Sequence, residues 1–337
     1  MVTDAETALT DDRRARRVTV IGDALLDVLV RPSSAGSVGT DSPAQISVGP
    51  GGQGANVAVG LARRGLPVRL VAATGTDAGG RLLRDLLSVE GVDLVTPPDG
   101  GPPTGCVVVL LDAQGERTML SQRPPSAAPQ PAELGYGTAW VHVSGYALLD
   151  PSGGSDLAAA LGARPPDVRC SIAGGSIRDD VTVTHRALDL IGRACPQLLV
   201  VSRDEAVALV RGTAPAARSV PELAASLGGQ LAERVTAAHT LVVITDGPRG
   251  AAAAWPGGCL EVASAARRAV DATGAGDAYV AALLAELVRR SASWPPTDTE
   301  LRAAMRLAAE AGAAAVEVVG AQGRVHEAHP DERSPSG

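Results

Sequence analysis

The chain has 337 residues, with 30 basic and 37 acidic side chains and a formal net charge of −7 at pH 7. All thirty basic residues are Arg, and the lack of Lys excludes Schiff-base catalysis, a P-loop lysine and the strand lysine of protein kinases. The acidic balance and an aromatic content of 2% argue against a nucleic acid as the main partner.

Strand and helix patterns alternate along most of the chain. The apolar run Val18–Ile21 predicts a first buried strand, and the glycine turn before Asn56 opens a helix that ends at Gly65. Later apolar runs, each followed by a helical stretch, are VRLVAATG, WVHVSG, VRCSIAG, LLVVS and TLVVITDG. This alternation predicts one α/β domain over residues 17–325, with a mostly parallel central sheet flanked by helices.

Two segments do not fit the alternation. Residues 30–48 are rich in Pro, Ser and Gly, which is typical of an excursion from the core. Residues 104–122 contain two strand-like runs on either side of Asp112–Gly115, a hairpin signal. We predict that the two segments together form a small β-lid inserted into the domain.

The two ends of the chain carry no targeting signal in the sequence. No apolar run reaches the roughly 18 residues of a membrane span, and the arginine-containing start lacks the apolar core of a secretory signal. The four cysteines contain no CxxC pair, which favours core thiols over disulfides or a zinc site. We therefore expect a cytoplasmic protein without membrane contact, whose residues 1–16 and 326–337 are disordered tails.

The strongest chemical motif is DATGAGDAY, residues 271–279. Gly274, Ala275 and Gly276 allow backbone N–H groups to converge at the start of a helix, whose dipole favours an anion. Asp277 beside such a site is suited to a general base that takes a proton from an attacking hydroxyl while the N–H groups hold a phosphoryl group. The alternative is a glycine turn with an Asp that only caps the helix.

A second glycine motif, residues 51–56, ends in Asn56, the only Asn in the chain. Glycines permit close approach of a ligand to the backbone, and an amide here is suited to a polyol, although Asn56 as a simple helix-start residue is the alternative. Gly49, Gly51 and Gly54 also spell GxGxxG, the pattern of a dinucleotide-binding oxidoreductase. That match is weak, because the preceding apolar run is short and the next strand does not end in an acidic residue.

Two further motifs follow predicted strands. Thr245–Gly250 comes after LVVI, and Ser202–Glu205 comes after LLVV. Both therefore lie at the carboxyl ends of strands, where α/β sheets bind ligands, and Glu205 is suited to orient a hydrated Mg²⁺. Taken alone, each is also compatible with an ordinary strand–helix loop.

Together the four motifs resemble the PfkB, or ribokinase-like, carbohydrate kinase family, from about Val18 to Arg324. GGQGANVAVGLARRG and DATGAGDAYVAALL look like the two family signatures, TDGPRG resembles the T-x-G-x-x-G nucleotide loop, and SRDE resembles N-x-x-E. The resemblance implies a mostly parallel sheet flanked by helices, with a β-lid over the sugar. It also implies transfer of the γ-phosphoryl group of ATP to a hydroxyl of a sugar, nucleoside or related polyol.

The resemblance assigns functions to the residues that match the family motifs. The catalytic set, a general base with its anion hole, is Asp277, Gly274, Ala275 and Gly276. The substrate-binding set is Asp27, Gly52, Gln53 and Asn56. The nucleotide-binding set is Ser202, Glu205, Thr245, Gly247 and Gly250. The metal-linked set is Glu205, which would hold Mg²⁺ through water, with Asp271 and Thr273 in a site for a monovalent cation such as K⁺.

The chain departs from ribokinase at several positions. Leu25 stands where ribokinase has Asn, Gln53 replaces Lys, and Ser202 replaces the Asn of N-x-x-E, while residues 171–175 lack an Asp-x-Asn pattern. We predict an ATP- and Mg²⁺-dependent kinase for a sugar or related polyol, and we expect homodimerisation through the lid. A nucleoside kinase of the same family and a catalytically weakened PfkB-like binding protein remain the alternatives.

Overall fold

The chain forms a large sheet with helices on both faces and a small separate sheet at one edge of the cavity described below. The structure is a computed structural model and describes residues 17–33, 39, 41–96, 101–112, 117–126, 134, 137–210, 219–234, 240–265, 269–290, 294–318, 320 and 322. The predicted tails, 1–16 and 326–337, lie outside these ranges.

The strands and helices of the described residues follow one another along the chain. The strands are β1 (Arg17–Ile21), β2 (Leu25–Pro32), β3 (Ala44–Gly51), β4 (Val68–Val71), β5 (Val92–Val95), β6 (Cys106–Leu111), β7 (Arg117–Gln122), β8 (Thr138–Val143), β9 (Arg169–Ala173), β10 (Leu198–Ser202), β11 (Leu241–Thr245), β12 (Ala251–Trp255) and β13 (Gly258–Val262). The helices are α1 (Gln53–Ala62), α2 (Ala78–Val89), α3 (Gly145–Leu148), α4 (Gly154–Gly162), α5 (Val181–Ala194), α6 (Arg203–Val210), α7 (Val220–Arg234), α8 (Ala275–Arg290) and α9 (Asp298–Ala315).

The large sheet has the strand order β13-β12-β11-β10-β9-β8-β1-β4-β5. The seven strands from β11 to β5 are parallel, while β12 and β13 add an antiparallel edge. β1 lies inside the sheet, and its residues 18–21 are fully buried because helices cover both faces. The predicted mostly parallel sheet is confirmed.

Two apolar clusters hold the helices to the sheet. One cluster joins α1, α2, α8 and α9 to one face, and the other joins α3 to α7 to the opposite face. Leu283 and Leu284 of α8 are both 0% exposed. Burial of a Leu side chain contributes about 1.5–3 kcal/mol, so α8 and the motif at its first turn are fixed firmly against the sheet.

The small sheet has the order β3-β2-β6-β7, with β2 antiparallel to β3 and parallel to β6, and β6 antiparallel to β7. The prediction of a small second sheet is confirmed, but its first segment is longer than the predicted 30–48. Pairing begins at Leu25 with Gly51, because the apolar run after β1 leaves the large sheet at once. Most of the predicted turn, Asp112–Gly115, lies outside the described residues.

The small sheet also shows whether the GxGxxG pattern belongs to a dinucleotide-binding unit. β3 carries Gly49 and Gly51, and it pairs antiparallel with β2 in the small sheet. A dinucleotide-binding unit needs this strand in the central parallel sheet, so the oxidoreductase alternative does not fit the fold.

The four cysteines are free thiols, but the prediction of core thiols holds for only one of them, because Cys106 and Cys195 are half-buried. Cys170 is buried, but Cys259 on the edge strand β13 is exposed. Side chains alternate between the two faces along β13, so its apolar neighbour Leu260 faces the core while Cys259 faces outward. Within the described ranges, no helix combines the length and apolarity that crossing a membrane requires.

Candidate functional site

Most predicted site residues meet in one cavity of about 580 Å³, the central cavity, at the carboxyl ends of the parallel strands. The predicted residues that line it are Asp27, Gly52, Gln53, Asn56, Ser202, Glu205, Thr273, Gly274 and Asp277. A second cavity of about 310 Å³, the α8–α9 cavity, is lined by the predicted residues Thr245, Gly247, Gly250, Ala275 and Gly276. The structure thus places the predicted site residues, except Asp271, which lines neither cavity, in two neighbouring spaces that share the start of α8.

The start of α8 lies between the two cavities. Gly274 has a φ of 74°, a left-handed conformation that favours glycine, and its carbonyl accepts a hydrogen bond of 2.8 Å from the Ala278 N–H. This turn leaves the first N–H groups of α8 without intrahelical partners, as at any helix start. The helix dipole adds positive potential there, so the local backbone is suited to an anion.

Asp277 lies in the first turn of α8 and contacts the second glycine motif. Asn56 Nδ2 donates a hydrogen bond of 2.8 Å to Asp277 Oδ2 across 221 residues of sequence. Burial raises the pKa of Asp277 to about 7; the Asn56 hydrogen bond opposes this, and the negative charges of Asp23 and Asp27 add to it. A carboxyl with this pKa exchanges its proton near neutral pH, which suits general acid–base catalysis.

Asp27 lies on β2 and faces the same cavity. Burial raises the pKa of Asp27 to about 6, while Arg123 lowers it and Asp23 raises it further. Its carboxylate lies directly over Gly51 of β3, where a Cβ would overlap the carboxylate atoms. The glycine is therefore needed for close approach, a function that the motif alone does not reveal.

Arg123 is a residue of the central cavity that the sequence analysis missed. It follows β7 and forms an ion pair with Asp23, which follows β1. Its guanidinium carbon lies 4.1 Å from the ring centroid of Tyr146, and the Tyr146 hydroxyl lies 2.5 Å from Ser176 Oγ. The position of Asp23 after the first strand was a signal for its place in the site, whereas nothing local marked Arg123.

Gln53 has both ends of its side-chain amide engaged by backbone. Its Nε2 donates to the Gly174 carbonyl at 2.5 Å, and its Oε1 accepts from the Gly145 N–H at 3.1 Å. Gln53 lines the central cavity, but these contacts make it a link between α1 and the loops that follow β8 and β9.

Ser202 and Glu205 form a capping box at the start of α6. Ser202 N–H and Oγ–H both donate to Glu205 Oε2 at 2.9 Å, and the Glu205 N–H donates to Ser202 Oγ at 3.3 Å. The S-x-x-E spacing is the sequence signature of this arrangement. Ser202 therefore holds the Glu205 carboxylate at the wall of the central cavity, even though the usual family Asn is absent.

The predicted nucleotide loop follows β11. Asp246 accepts hydrogen bonds from Arg249 at 2.6 and 2.7 Å and from Arg203 at 3.3 Å, and the Arg249 hydrogen bonds hold the pKa of Asp246 below its usual range. Asp246 thus links the loop to the start of α6 through Arg203. The α8–α9 cavity beside it is also lined by small residues of α9 that the sequence analysis missed, Ala309, Gly312 and Ala313.

Asp271 organises the loop that precedes α8. Its Oδ1 accepts from the Thr273 N–H at 2.8 Å and from the Thr273 hydroxyl at 2.6 Å, and its Oδ2 accepts from the Gly320 N–H at 2.9 Å. The part of the chain that the structure describes contains no group of three or more His, Cys, Asp or Glu side chains arranged to hold a metal ion.

Known proteins resemble the chain over most of its length. Residues 15–328 match the profile of the pfkB family carbohydrate kinases. The chain is 35% identical over 319 residues to the fructokinase of Salmonella typhimurium, and 32% identical over 318 residues to that of Klebsiella pneumoniae. Each alignment covers 90% of this chain and 94% of the relative.

A solved structure gives the same result. The fructokinase of Vibrio cholerae O395, in its form with bound fructose, ADP and calcium ion, superposes with a TM-score of 0.70 at 27% identity. The superposition covers 92% of this chain and 95% of that one. The chain therefore belongs to the pfkB family of carbohydrate kinases and is an ATP-dependent sugar kinase.

Proposed function

We propose that the chain transfers the γ-phosphoryl group of ATP to a hydroxyl of a ketohexose, with fructose as the first substrate to test. The observation that carries the proposal is the position of Asp277, which faces the central cavity from the first turn of α8. A sugar in the central cavity and a phosphoryl group at the start of α8 would then meet at this carboxylate. The fructokinase relatives support fructose as the sugar.

Asp277 acts as the general base in this proposal. Phosphoryl transfer has a loose transition state in which the acceptor proton leaves late, so the base must be in hydrogen-bond reach rather than strongly basic. The backbone of Gly274, Ala275 and Gly276 forms the anion hole for the transferring group. Asn56 holds the Asp277 carboxylate in position through its hydrogen bond of 2.8 Å.

The sugar binds between the large and the small sheet. Asp27 accepts hydrogen bonds from sugar hydroxyls, and Arg123, which also lines the cavity from the small sheet, donates to sugar oxygens. Asn56 and Gly52 line the same cavity at the start of α1, where glycine is required by its φ of 92° and by the Asp23 carbonyl, which a Cβ would meet at 2.8 Å. Gln53 contributes indirectly, since its amide fixes the two loops that form the rim.

The nucleotide binds in the α8–α9 cavity. Its described lining is mostly small and apolar, as a flat adenine ring requires, and Thr245 adds a hydroxyl at the end of β11. Gly247 and Gly250 bring backbone rather than side chains to this space. Bound ATP would supply the phosphoryl group at the shared start of α8.

Two cation sites belong to the proposal. Glu205, oriented by Ser202, is suited to hold Mg²⁺ through water at the wall of the central cavity. Asp271 and Thr273 are suited to shape a site for K⁺, because their hydrogen bonds fix the loop beside the anion hole. Both ions would supply positive charge near the phosphates of the nucleotide.

The cavity lining favours a sugar over a nucleoside. Tyr146 is the one aromatic side chain among the described residues that line the central cavity, and the Arg123 guanidinium already lies over its ring. A nucleobase would therefore have at most one face of this single ring to stack on. The alternative of a weakened binding protein rested on Ser202 and on residues 171–175. Ser202 forms a complete capping box with Glu205, so the departure at position 202 is no sign of lost catalysis.

We also propose that the enzyme forms a homodimer through the outward face of the small sheet. Register places Val48 beside Val28, and Val28 beside Val108 and then Leu120, on one face. Ile46, Val48, Leu110 and Leu120 are 64%, 42%, 37% and 59% exposed. A contiguous aliphatic sheet face of this kind is typical of an association surface. If it is the dimer interface, Ile46→Lys with Leu120→Lys will give a monomer in sedimentation experiments at unchanged secondary structure.

We place the enzyme in the cytoplasm. Its four cysteines are all free thiols, which suits a reducing compartment, and ATP is the donor of the proposed reaction.

The central test is ADP release on a panel of fructose, glucose, ribose and adenosine, with wild type and Asp277→Asn. We expect fructose to give the highest kcat/KM, and Asp277→Asn to lower kcat by about 10²–10⁴ with ATP affinity retained. Asp277→Asn keeping more than about a tenth of wild-type kcat would exclude Asp277 as the base. Preference for adenosine over every sugar would instead favour the nucleoside kinase.

A further inference from the structure

Asn56 is held from two sides. Its Nδ2 donates to Asp277 Oδ2 at 2.8 Å, and its Oδ1 accepts a hydrogen bond of 3.0 Å from Gln322 Nε2. Gln322 lies after α9, 266 residues from Asn56 in sequence. The three side chains thus form a chain of hydrogen bonds that runs from the C-terminal segment to the carboxylate in the first turn of α8.

The backbone around Gln322 is anchored independently of its side chain. The Gln322 carbonyl accepts a hydrogen bond of 2.8 Å from Arg63 Nη1. Arg63 is itself held by Glu90 through two hydrogen bonds of 2.8 and 2.9 Å. Two residues earlier, the Gly320 N–H donates to Asp271 Oδ2 at 2.9 Å. A substitution of the Gln322 side chain therefore leaves the main-chain contacts of the segment available.

We propose that Gln322 is a positioning residue that fixes the side-chain amide of Asn56 with its NH₂ group toward Asp277, and so keeps the Asp277 carboxylate free to accept a proton. This inference rests on the proposed function of Asp277 as general base. It assigns a catalytic contribution to a segment outside the motifs that carry the chemistry.

The reason lies in the two orientations that the Asn56 amide can adopt. With NH₂ toward Asp277, the amide stabilises the ionised carboxylate by a charge-assisted hydrogen bond. Rotated by half a turn, the amide would present its oxygen to Asp277 and would stabilise the protonated carboxyl instead. In the rotated state, however, the NH₂ group of Asn56 would face the NH₂ group that Gln322 presents here, so the Gln322 amide would have to rotate as well. Gln322 therefore disfavours the orientation that would keep the proton on Asp277.

Other charges act on Asp277 in both orientations. The charged side chains that line the central cavity with it are Asp27, Arg123, Arg178, Asp204 and Glu205, and Asp23 adds its negative charge from behind Arg123. Substitution of Gln322 changes none of these groups. A change in the titration of Asp277 in an uncharged Gln322 variant would therefore report on the Asn56 amide, whereas Gln322→Glu also adds a negative charge of its own.

The first test uses the fact that Asn56 is the only Asn in the chain. Selective ¹⁵N-Asn labelling gives one side-chain amide signal, whose chemical shifts follow the ionisation of Asp277 directly and without turnover. We expect its titration midpoint to rise by about 0.5–1 pH unit in Gln322→Leu, which is uncharged and cannot donate a hydrogen bond. Gln322→Glu should shift it further, because a carboxylate at 322 would attract the NH₂ group of a rotated Asn56.

Kinetics provides the second test. For both Gln322 variants kcat should fall by about 3–10-fold at pH 6 and recover to within about twofold of wild type at pH 9, since only the ionised fraction of Asp277 changes. Val318→Ala, in the same segment and 42% exposed, is the matched control and should leave kcat unchanged at both pH values. A kcat loss that is equal at pH 6 and pH 9 would mean a merely structural effect and would overturn the inference.

The two proposals fail in different ways. If Asp277→Asn is inactive but the Gln322 variants match wild type in both the amide titration and the pH profile, Asp277 remains the base and the inference about Gln322 is wrong. If Asp277→Asn stays active, the proposed function of Asp277 fails first. The amide titration still decides whether Gln322 controls the Asn56 orientation, because that measurement needs no catalysis.

Discussion

Arg123 and Asp23 form an ion pair that joins the small sheet to the large one. Arg123 comes directly after β7, and Asp23 comes two residues after the end of β1, so the pair joins the ends of one strand from each sheet. The Arg123 guanidinium also lies over the Tyr146 ring at 4.1 Å. The small sheet is thus fastened to the rim of the cavity by a charged contact and a cation–π contact together.

Arg123→Ala should loosen this closure. We expect the KM for the sugar to rise about tenfold or more, because the variant removes both a donor to the sugar and the contact between the sheets. We also expect more ATP hydrolysis per sugar phosphorylated, since an open cavity admits water as a competing acceptor. Arg123→Lys keeps the charge but not the planar stacking, and it should be intermediate. An unchanged ratio of hydrolysis to transfer would show that closure does not depend on Arg123.

Local patterns in the sequence were sufficient for the sheet and for the motif residues. Glycines shortly before Asp277 and Asn56 mark helix starts, and short aliphatic runs mark buried parallel strands. Each of these signals lies within a few neighbouring residues, so it can be recognised from the sequence. The same holds for Ser202 and Glu205, whose spacing of three residues defines their contact. The start of the small sheet was less predictable, because the apolar run that begins at Leu25 is compatible with a strand of either sheet.

The remaining contacts depend on residues far apart in sequence. Arg123 meets Asp23 across 100 residues and Gln322 meets Asn56 across 266, and neither Arg123 nor Gln322 belongs to a motif. The pKa of Asp277 is likewise set by burial and by Asp23 and Asp27, which only the fold brings near. The sequence therefore predicted the motif residues that line the cavities better than the distant residues that contact them.

The kcat/KM for the sugar should increase with pH between about 5 and 8 and then level off. Burial raises the pKa of Asp277 to about 7 and that of Asp27 to about 6, so both carboxyls lose their protons in this range. Each must be ionised to accept a hydrogen bond or a proton from a hydroxyl, and their mutual repulsion couples the two steps. In Asp27→Asn, the pH dependence of kcat/KM should show a single ionisation, that of Asp277. A flat profile from pH 5 to 8 would contradict both assignments.

Asp277→Asn should make the protein more stable above neutral pH. In the folded protein the pKa of Asp277 is about 7, against the ordinary value of 3.8, so between these pH values the folded state keeps a proton that the unfolded state loses. The free energy of unfolding of wild type therefore falls as pH rises through this window, and it stays lower above pH 7.

Urea unfolding of Asp277→Asn and wild type at pH 4, 6 and 8 measures this effect. The two proteins should have similar stability at pH 4, and the variant should gain on the order of 2 kcal/mol at pH 8. Asp85→Asn, at an exposed position on α2, is the control and should show no such growth with pH. A difference in the free energy of unfolding that is the same at all three pH values would show that the charge of Asp277 does not cause it.

Gly51 and Gly49 offer a matched pair of substitutions for the sugar site. Both lie on β3 two residues apart, and therefore on the same face of the small sheet. A Cβ at Gly51 would overlap the Asp27 carboxylate, whereas a Cβ at Gly49 would have no atom within 4 Å. Gly51→Ala should displace the carboxylate and weaken sugar binding by about 10–100-fold, as for a lost hydrogen bond to a charged group.

ATP affinity separates this effect from misfolding. It should be unchanged in Gly51→Ala, because the α8–α9 cavity lies on the other side of α8 from Asp27 in the proposed arrangement. Gly49→Ala should keep wild-type sugar affinity and gain a few tenths of a kcal/mol in stability, since Ala restricts the unfolded chain more than Gly does. Calorimetric titration of sugar and of ATP into each variant gives both affinities. Equal loss of sugar affinity in the two variants would mean that the strand, and not the Asp27 carboxylate, determines sugar binding.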